Sequence, residues 1–227
     1  MTRTREQRLD RKALKQDGLL NFTNRVGMYT QQHMNLALGV LAGVAVVIGL
    51  GLLWRHDARQ KTVQAGQGLS QVISAYASNQ PEQVIERANA LQTSSPGSPG
   101  AVAAKYLAGA AQLQLGRFAD AEQSLRVYLE SSAKMPMYEN AAREALAAAL
   151  ESQNKFAEAA AEYQGLAAKL EGPAALRVKL DAARALREAG SLAEAKSLLE
   201  QLAKEPVTAQ EAKLQLAIID NLAAARP

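Results

Sequence analysis

Residues 113–129 read LQLGRFADAEQSLRVYL, and the same order of side-chain types returns at 151–167 (ESQNKFAEAAAEYQGLA) and at 187–203 (REAGSLAEAKSLLEQLA). Each copy carries a turn residue (Gly116, Asn154, Gly190), followed two positions later by a bulky apolar residue (Phe118, Phe156, Leu192). An alanine comes three positions further on (Ala121, Ala159, Ala195), and then a second bulky residue (Leu125, Tyr163, Leu199). Turn to turn, the copies are 38 and 36 residues apart. Apolar residues recurring every three to four positions after a turn residue define one face of a helix. A period of this size marks stacked supersecondary units, none of which can bury its apolar face alone. The pattern predicts an all-α chain.

These residues resemble the tetratricopeptide repeat, which implies helical hairpins stacked into an α-solenoid. In that family a small residue of the first helix lies against the alanine of the second, and Gly109, Ala147 and Ala183 occupy that place here. Pro173 and Pro206 fall near the position where the family's repeat often ends in proline. The first helices lack the family's Trp, and both spacings exceed its usual 34. Before the repeats, 93–100 (TSSPGSPG) reads as a linker, and Asn79-Gln80-Pro81 separates an earlier pair of helices. The first of these, 57–78, has Val63, Leu69, Val72, Ile73 and Tyr76 as its apolar positions, and Val84 and Leu91 serve a degenerate first unit. A closing helix over 208–225 is expected, with Thr208 and Glu211 as a capping box and Leu214, Ala217, Ile218 and Leu222 as its apolar stripe.

Upstream, residues 36–54 (LALGVLAGVAVVIGLGLLW) carry no charge. At 1.5 Å per residue they reach roughly 28 Å, about the hydrocarbon thickness of a bilayer. They are read as one transmembrane helix that stays in place, because the residues after it offer no small-x-small cleavage site. Trp54 would stand at the headgroup boundary, followed by Arg55, Arg59 and Lys61. Gly39 and Gly43 form GxxxG, with Ala45 and Gly49 one turn on; this stripe either packs on another membrane helix or reflects the tolerance of membrane helices for glycine. The basic tail holds Arg3, Arg5, Arg8, Arg11, Lys12, Lys15 and Arg25 against Glu6, Asp10 and Asp17, which accounts for the net charge of +4. A basic short terminus argues for a cytoplasmic N-terminus and a periplasmic C-terminal domain, although the nearest flanks alone favour the reverse. The tail suits anionic lipid headgroups, and with no aromatic residues interleaved it is not read as binding nucleic acid. Leu19, Phe22, Val26 and Tyr29 could form an interfacial helix or dock on a partner. The expected domains are a tail over 1–34, a span over 35–54, an outward helix over 55–80 and a repeat domain over 81–227.

Catalytic chemistry is sparse. The chain has no Cys, and its two histidines, His33 and His56, flank the apolar run. HExxH, G-x-S-x-G and phosphate-loop patterns are missing. No enzyme, metal or cofactor is expected. Binding is the expected activity, and the resemblance places the groove on the first helices: Tyr106, Ala110 and Leu113; then Glu144, Ala148 and Glu151; then Arg177, Leu180, Arg184 and Arg187. Arg177, Arg184 and Arg187 either capture carboxylates or form a solvated face paired with Glu188 and Glu194. Met135-Pro136-Met137-Tyr138 is either an adaptable apolar loop or a plug over the core.

The whole layout is similar to the YfgM-like family, through the Leu53-Trp54-Arg55 junction and an outward helix reaching Ala75-Tyr76-Ala77 before the repeats. The resemblance implies a single-pass protein of the bacterial inner membrane that accompanies the SecYEG translocon and a periplasmic chaperone. The alternative is a structural brace in another membrane complex, respiratory, photosynthetic or envelope.

Overall fold

The computed structural model describes the backbone of residues 34–224 of the 227-residue chain, with side chains at 39, 42–51 and 63–221. The expected tail, with its charges and its Leu19 to Tyr29 apolar positions, lies outside the described residues. So do the side chains of Trp54, Arg55 and Leu222.

Nine helices lie among the described residues: α1 (Met34–Ala77), α2 (Pro81–Ser94), α3 (Pro99–Gln114), α4 (Phe118–Glu130), α5 (Pro136–Glu151), α6 (Phe156–Ala167), α7 (Gly172–Glu188), α8 (Leu192–Leu202) and α9 (Ala209–Ala224). The chain divides into two compact parts, 1–59 and 60–227. In the first, Val44, Val46, Val47, Ile48 and Leu50 are all at least half exposed. Among the described residues no helix is long and apolar enough to cross a membrane. The expected span reaches past the described stretch 42–51, about 15 Å of helix, at both ends.

In the second part, consecutive helices pack as hairpins, and the first helices also pack on one another, α3 with α5 and α7 with α9. The turn residues explain why the hairpins repeat. Gly116, Asn154 and Gly190 all have positive φ (72°, 60° and 83°), the left-handed conformation that ends a helix. After each, the next N–H donates to a carbonyl five residues back: Arg117 to Gln112 (2.8 Å), Lys155 to Leu150 (2.9 Å) and Ser191 to Leu186 (2.9 Å). Asn79 repeats both features, with φ 53° and a bond from Gln80 to Ala75 (3.1 Å). The end of α1 with α2 is therefore a hairpin built on the same plan, ahead of α3/α4, α5/α6 and α7/α8.

Inside the hairpins the expected close crossings are present. A Cβ on Gly109 would lie 2.7 Å from Leu125 Cγ and 3.4 Å from the Ala121 carbonyl oxygen. Ala147 and Ala183, in the equivalent places, are fully buried, as are Ala121, Ala159 and Ala195. In the α1/α2 hairpin the sizes are exchanged. Val72 and Val84 take the small-residue positions, and Ala88 stands where the others place Leu125, Tyr163 and Leu199, which conserves volume. Val84 and Leu91 are buried as expected.

Four expectations are corrected. The linker is shorter than 93–100, because α2 continues to Ser94 and α3 begins at Pro99, with the Ser98 hydroxyl accepting the Ala101 N–H (3.1 Å). In α1 the core face is Ala65, Val72 and Ala75, while Val63, Ile73 and Tyr76 are exposed. In α9 the stripe is turned: Ala212, Gln215 and Ile219 are buried, and Leu214 and Ile218 are exposed. Helical periodicity offers two apolar faces on α9, and packing against α7 and α8 selects the one carrying Gln215. Nor does a capping box form. Thr208 is buried and its hydroxyl donates to Leu202 O (2.8 Å), a carbonyl at the end of α8 that also accepts the Glu205 N–H (3.2 Å). Glu211 instead accepts from the Gln215 amide (3.4 Å).

Candidate protein-interaction face

Counting back 10, 6 and 3 positions from each turn residue gives one row per first helix, and these rows contain most of the expected groove. On α3 they are Tyr106, Ala110 and Leu113; on α5, Glu144, Ala148 and Glu151; on α7, Leu180, Arg184 and Arg187. On α1 the same count gives Leu69, Ile73 and Tyr76.

At the α1–α5 end the face is aromatic. The Tyr106 ring stacks on Tyr138 (centroids 5.0 Å, planes 22° apart) and lies 5.7 Å from the buried Tyr128. The Tyr128 hydroxyl donates to Met135 O (2.5 Å), which ties down the start of α5, where Tyr138 sits in the first turn. The Tyr106 phenol is pushed up from its ordinary pKa by burial and then by the nearby Tyr76, Tyr138 and Glu144, so α1, α3 and α5 contribute to one neighbourhood. The Met135 to Tyr138 stretch divides between its two readings. Tyr138 packs against the core, whereas Met137 is exposed. Leu113 is half-buried and packs on the core.

Across α5 and α7 the face is an ion-pair ladder. Arg177 pairs with Glu144 (3.2 Å), and Arg184 with Glu151 (3.1 Å) and Asp181 (2.8 Å). The Tyr163 hydroxyl donates to Glu151 (3.2 Å), and burial raises its pKa first, with Glu151 adding to the shift. Burial opposes the Arg184 charge, but the hydrogen bond and charge of Glu151 outweigh it and hold its pKa above the ordinary value. Burial raises the Asp181 pKa against the pull of Arg184.

The arginines divide between two sets of partners. Arg187 does pair with Glu188 (2.7 Å), but Arg177 and Arg184 are engaged by Glu144 and Glu151, the acidic members of the same groove. Both pairs span 33 residues, a separation at which charge spacing along one helix gives no information. Three carboxylates, Glu144, Glu151 and Asp181, face the two guanidiniums of Arg177 and Arg184 here.

Tyr106, Glu144, Glu151, Arg177 and Arg184 are thus brought together as neighbours along adjoining first helices. Gly39 and Gly43 lie in the other compact part, where a Cβ on either would meet no atom within 4 Å. Sequence reasoning missed Ile73, Tyr76 and Tyr138. The turn at Asn79 was the signal for the first two, since the count that finds Ala110 and Leu113 from Gly116 finds Ile73 and Tyr76 from Asn79.

A family model described as a tetratricopeptide repeat-like domain matches residues 28–169. The chain belongs to this family. The match begins before the apolar run and includes α1, α2 and the two following hairpins. Two solved structures, both of the nearly identical TPR-like repeats of a protein assigned as a kinesin light chain of Podosopora anserina, share the fold. Each is 19% identical and covers 73% of this chain and 89% of its own; the TM-scores are 0.57 and, for a point variant of the same repeats, 0.56. No curated protein matches the chain. Tetratricopeptide repeats mediate protein–protein interaction, and the α1–α7 face is the surface these repeats build here.

Proposed function

We propose that this protein is a membrane-anchored adaptor whose first-helix face docks a partner protein, by binding and without catalysis. The observation that carries the reading is the continuous row across four first helices, aromatic at Tyr76, Tyr106 and Tyr138 and charged at Glu144, Arg177, Glu151 and Arg184. A row of partly exposed aromatic rings next to paired charges offers anchors for apolar side chains and a polar rim that fixes register.

The anchoring reading rests on the uncharged run 36–54 and on the exposed aliphatic side chains of 44–50, for which lipid or a partner helix is the natural solvent. The resemblance to the YfgM-like family, together with the basic tail, supports a bacterial inner-membrane location with the repeats in the periplasm, beside the translocon and a chaperone.

Photo-cross-linking in native membranes from probes at Tyr106 and Arg184, with an outer-face control at Val127, tests this. Translocon or chaperone peptides joined at the first-helix face support the adaptor. A fixed set of unrelated complex subunits would make the protein a brace, and release of the chain by alkaline carbonate would refute the anchor.

A further inference from the structure

Where α1 passes the turn that joins α2 to α3, the chain leaves a hollow of about 720 Å³, within the roughly 300–1,000 Å³ of pockets that hold ligands. It is lined by Ala65, Gly66 and Leu69 of α1, by the turn over 94–100, and by Met135 immediately ahead of α5. The chain closes the floor and leaves the lip open. Ala65 and Gly100 are buried, and a Cβ on Gly100 would lie 2.7 Å from the Ala65 carbonyl oxygen. Gly66, Pro96, Gly97 and Pro99 are exposed, and Leu69 and Met135 are half-buried. Among the described residues, none that lines the hollow is charged. The Ser98 hydroxyl already accepts the Ala101 N–H (3.1 Å), and that of Ser94 donates to Leu91 O (3.4 Å). A charged group would lose its hydration here without meeting a counter-charge, so the hollow suits an apolar one.

The glycines of α1 point to an occupant from outside the chain. A glycine weakens a helix relative to alanine, and α1 has two within three residues, Gly66 and Gly68. Packing explains Gly68, because a Cβ there would lie 2.6 Å from Leu91 Cδ1 of α2. Gly66 has no such reason. Among the described residues a Cβ at Gly66 would meet no atom within 4 Å, and its bare backbone stands at the lip of the hollow. A helical glycine that the chain itself does not need leaves room for another group to approach the backbone closely.

The hollow is also continuous with the first-helix face. Leu69 lines it and begins the row Leu69, Ile73 and Tyr76. Met135 lines it and, through the Tyr128 hydroxyl on its carbonyl, is tied to the aromatic group in which Tyr138 stacks on Tyr106. We infer that this hollow is an anchor pocket for the protein docked on that face, taking one large uncharged side chain of the leucine, methionine or phenylalanine kind against the backbone of Gly66. The inference rests on the docking role proposed for the first-helix face, and it names the side chain that the partner must bring. An apolar anchor seated in a pocket at one end of a face carries a large share of binding energy, and the thioether of Met135 adapts to its shape.

The test places a photo-reactive residue at Ser94, on the rim of the hollow, in the full chain in its native membrane. Gly66→Leu fills the hollow from within the chain. It is expected to cut the Ser94 adduct at least tenfold while the thermal transition stays at or above that of the parent, because leucine is the better helix former. Gly66→Ala should cut the adduct less, in proportion to the smaller side chain. Gly165→Ala, which gains the same helix propensity away from the hollow, should leave the adduct unchanged. The partner peptide joined at Ser94 should carry a large apolar side chain at the point of attachment or beside it, and changing that residue to Asp should cut the adduct at least tenfold. No protein adduct at Ser94, an adduct that survives Gly66→Leu, an adduct to lipid or to this chain itself, or a partner peptide without such a side chain would each overturn the proposal. Adducts from Tyr106 in those cases would leave the first-helix face standing. A Ser94 adduct lost on Gly66→Leu, with none at Tyr106, would confine docking to the hollow and refute the wider face.

Discussion

Gly109 and Gly165 are both helical glycines, and their surroundings give them opposite expected responses to alanine. At Gly109 the new methyl meets the fully buried Leu125 at 2.7 Å and 3.0 Å. Helix propensity gains about 1 kcal/mol, but overpacking a tight crossing costs about 1–3 kcal/mol. Gly109→Ala is expected to lower stability by about 1 kcal/mol in chemical denaturation. Gly165 is exposed and has nothing within 4 Å of a Cβ, so Gly165→Ala should raise stability by about 1 kcal/mol. Gly109 was legible because the repeat pattern places a small residue there. Charge partners were not. Burial raises the Glu122 pKa, but hydrogen bonds from Lys155, Arg126 and Gln153 more than offset it and hold the carboxylate at about 2, below its ordinary 4.5. Two of these donors come from the next repeat's turn. A depressed carboxylate stabilises the fold fully above its unfolded pKa and loses that contribution as pH falls towards 2. The parent should thus exceed Glu122→Gln in thermal stability near pH 7, by on the order of 1 kcal/mol after solvent screening. The gap should close between about pH 5 and pH 2, and a gap that persists at pH 2 would exclude this ion pairing as its source.

At the scale of the element, the turns carry the repeat. Gly190→Ala places a Cβ at φ 83° and is expected to cost about 1 kcal/mol or more. Gly190→Asn should recover most of that loss, since Asn79 and Asn154 hold the same conformation in the other hairpins, and Asn154→Gly should be nearly neutral. Equilibrium urea unfolding of the three variants separates the conformational cost from any loss of contacts. Turn positions could be read from the sequence because the left-handed cap demands particular residue types. The orientation of α9 could not. Leu214 and Ile218 form as good an apolar stripe as Ala212 and Ile219, and the buried Gln215 argues against the face that the structure buries. Only the position of α8 ahead of it, and the Thr208 hydroxyl bound back to Leu202, set which side turns inward.

For the molecule as a whole, the ladder between α5 and α7 joins two repeats, so its predictions concern pairs. Arg184→Glu would set three carboxylates together with Glu151 and Asp181, and is expected to destabilise the fold and to reduce cross-linking at the first-helix face. Arg184→Glu with Glu151→Arg should restore most of both. A coupling energy near zero in the double-mutant cycle would show that the pair positions nothing, since half-exposed pairs couple by up to about 1 kcal/mol. The sequence by itself determined the helical hairpins, their period, the small-residue crossings and the apolar run ahead of them, because turn chemistry and helical periodicity act over a few residues. Tertiary structure decided the rest. Which charges meet across 33 residues, that Tyr106 stacks on Tyr138 and which face of α9 is buried all depend on how separate helices approach one another. That approach is fixed by packing the whole stack, and spacing along a single helix does not encode it.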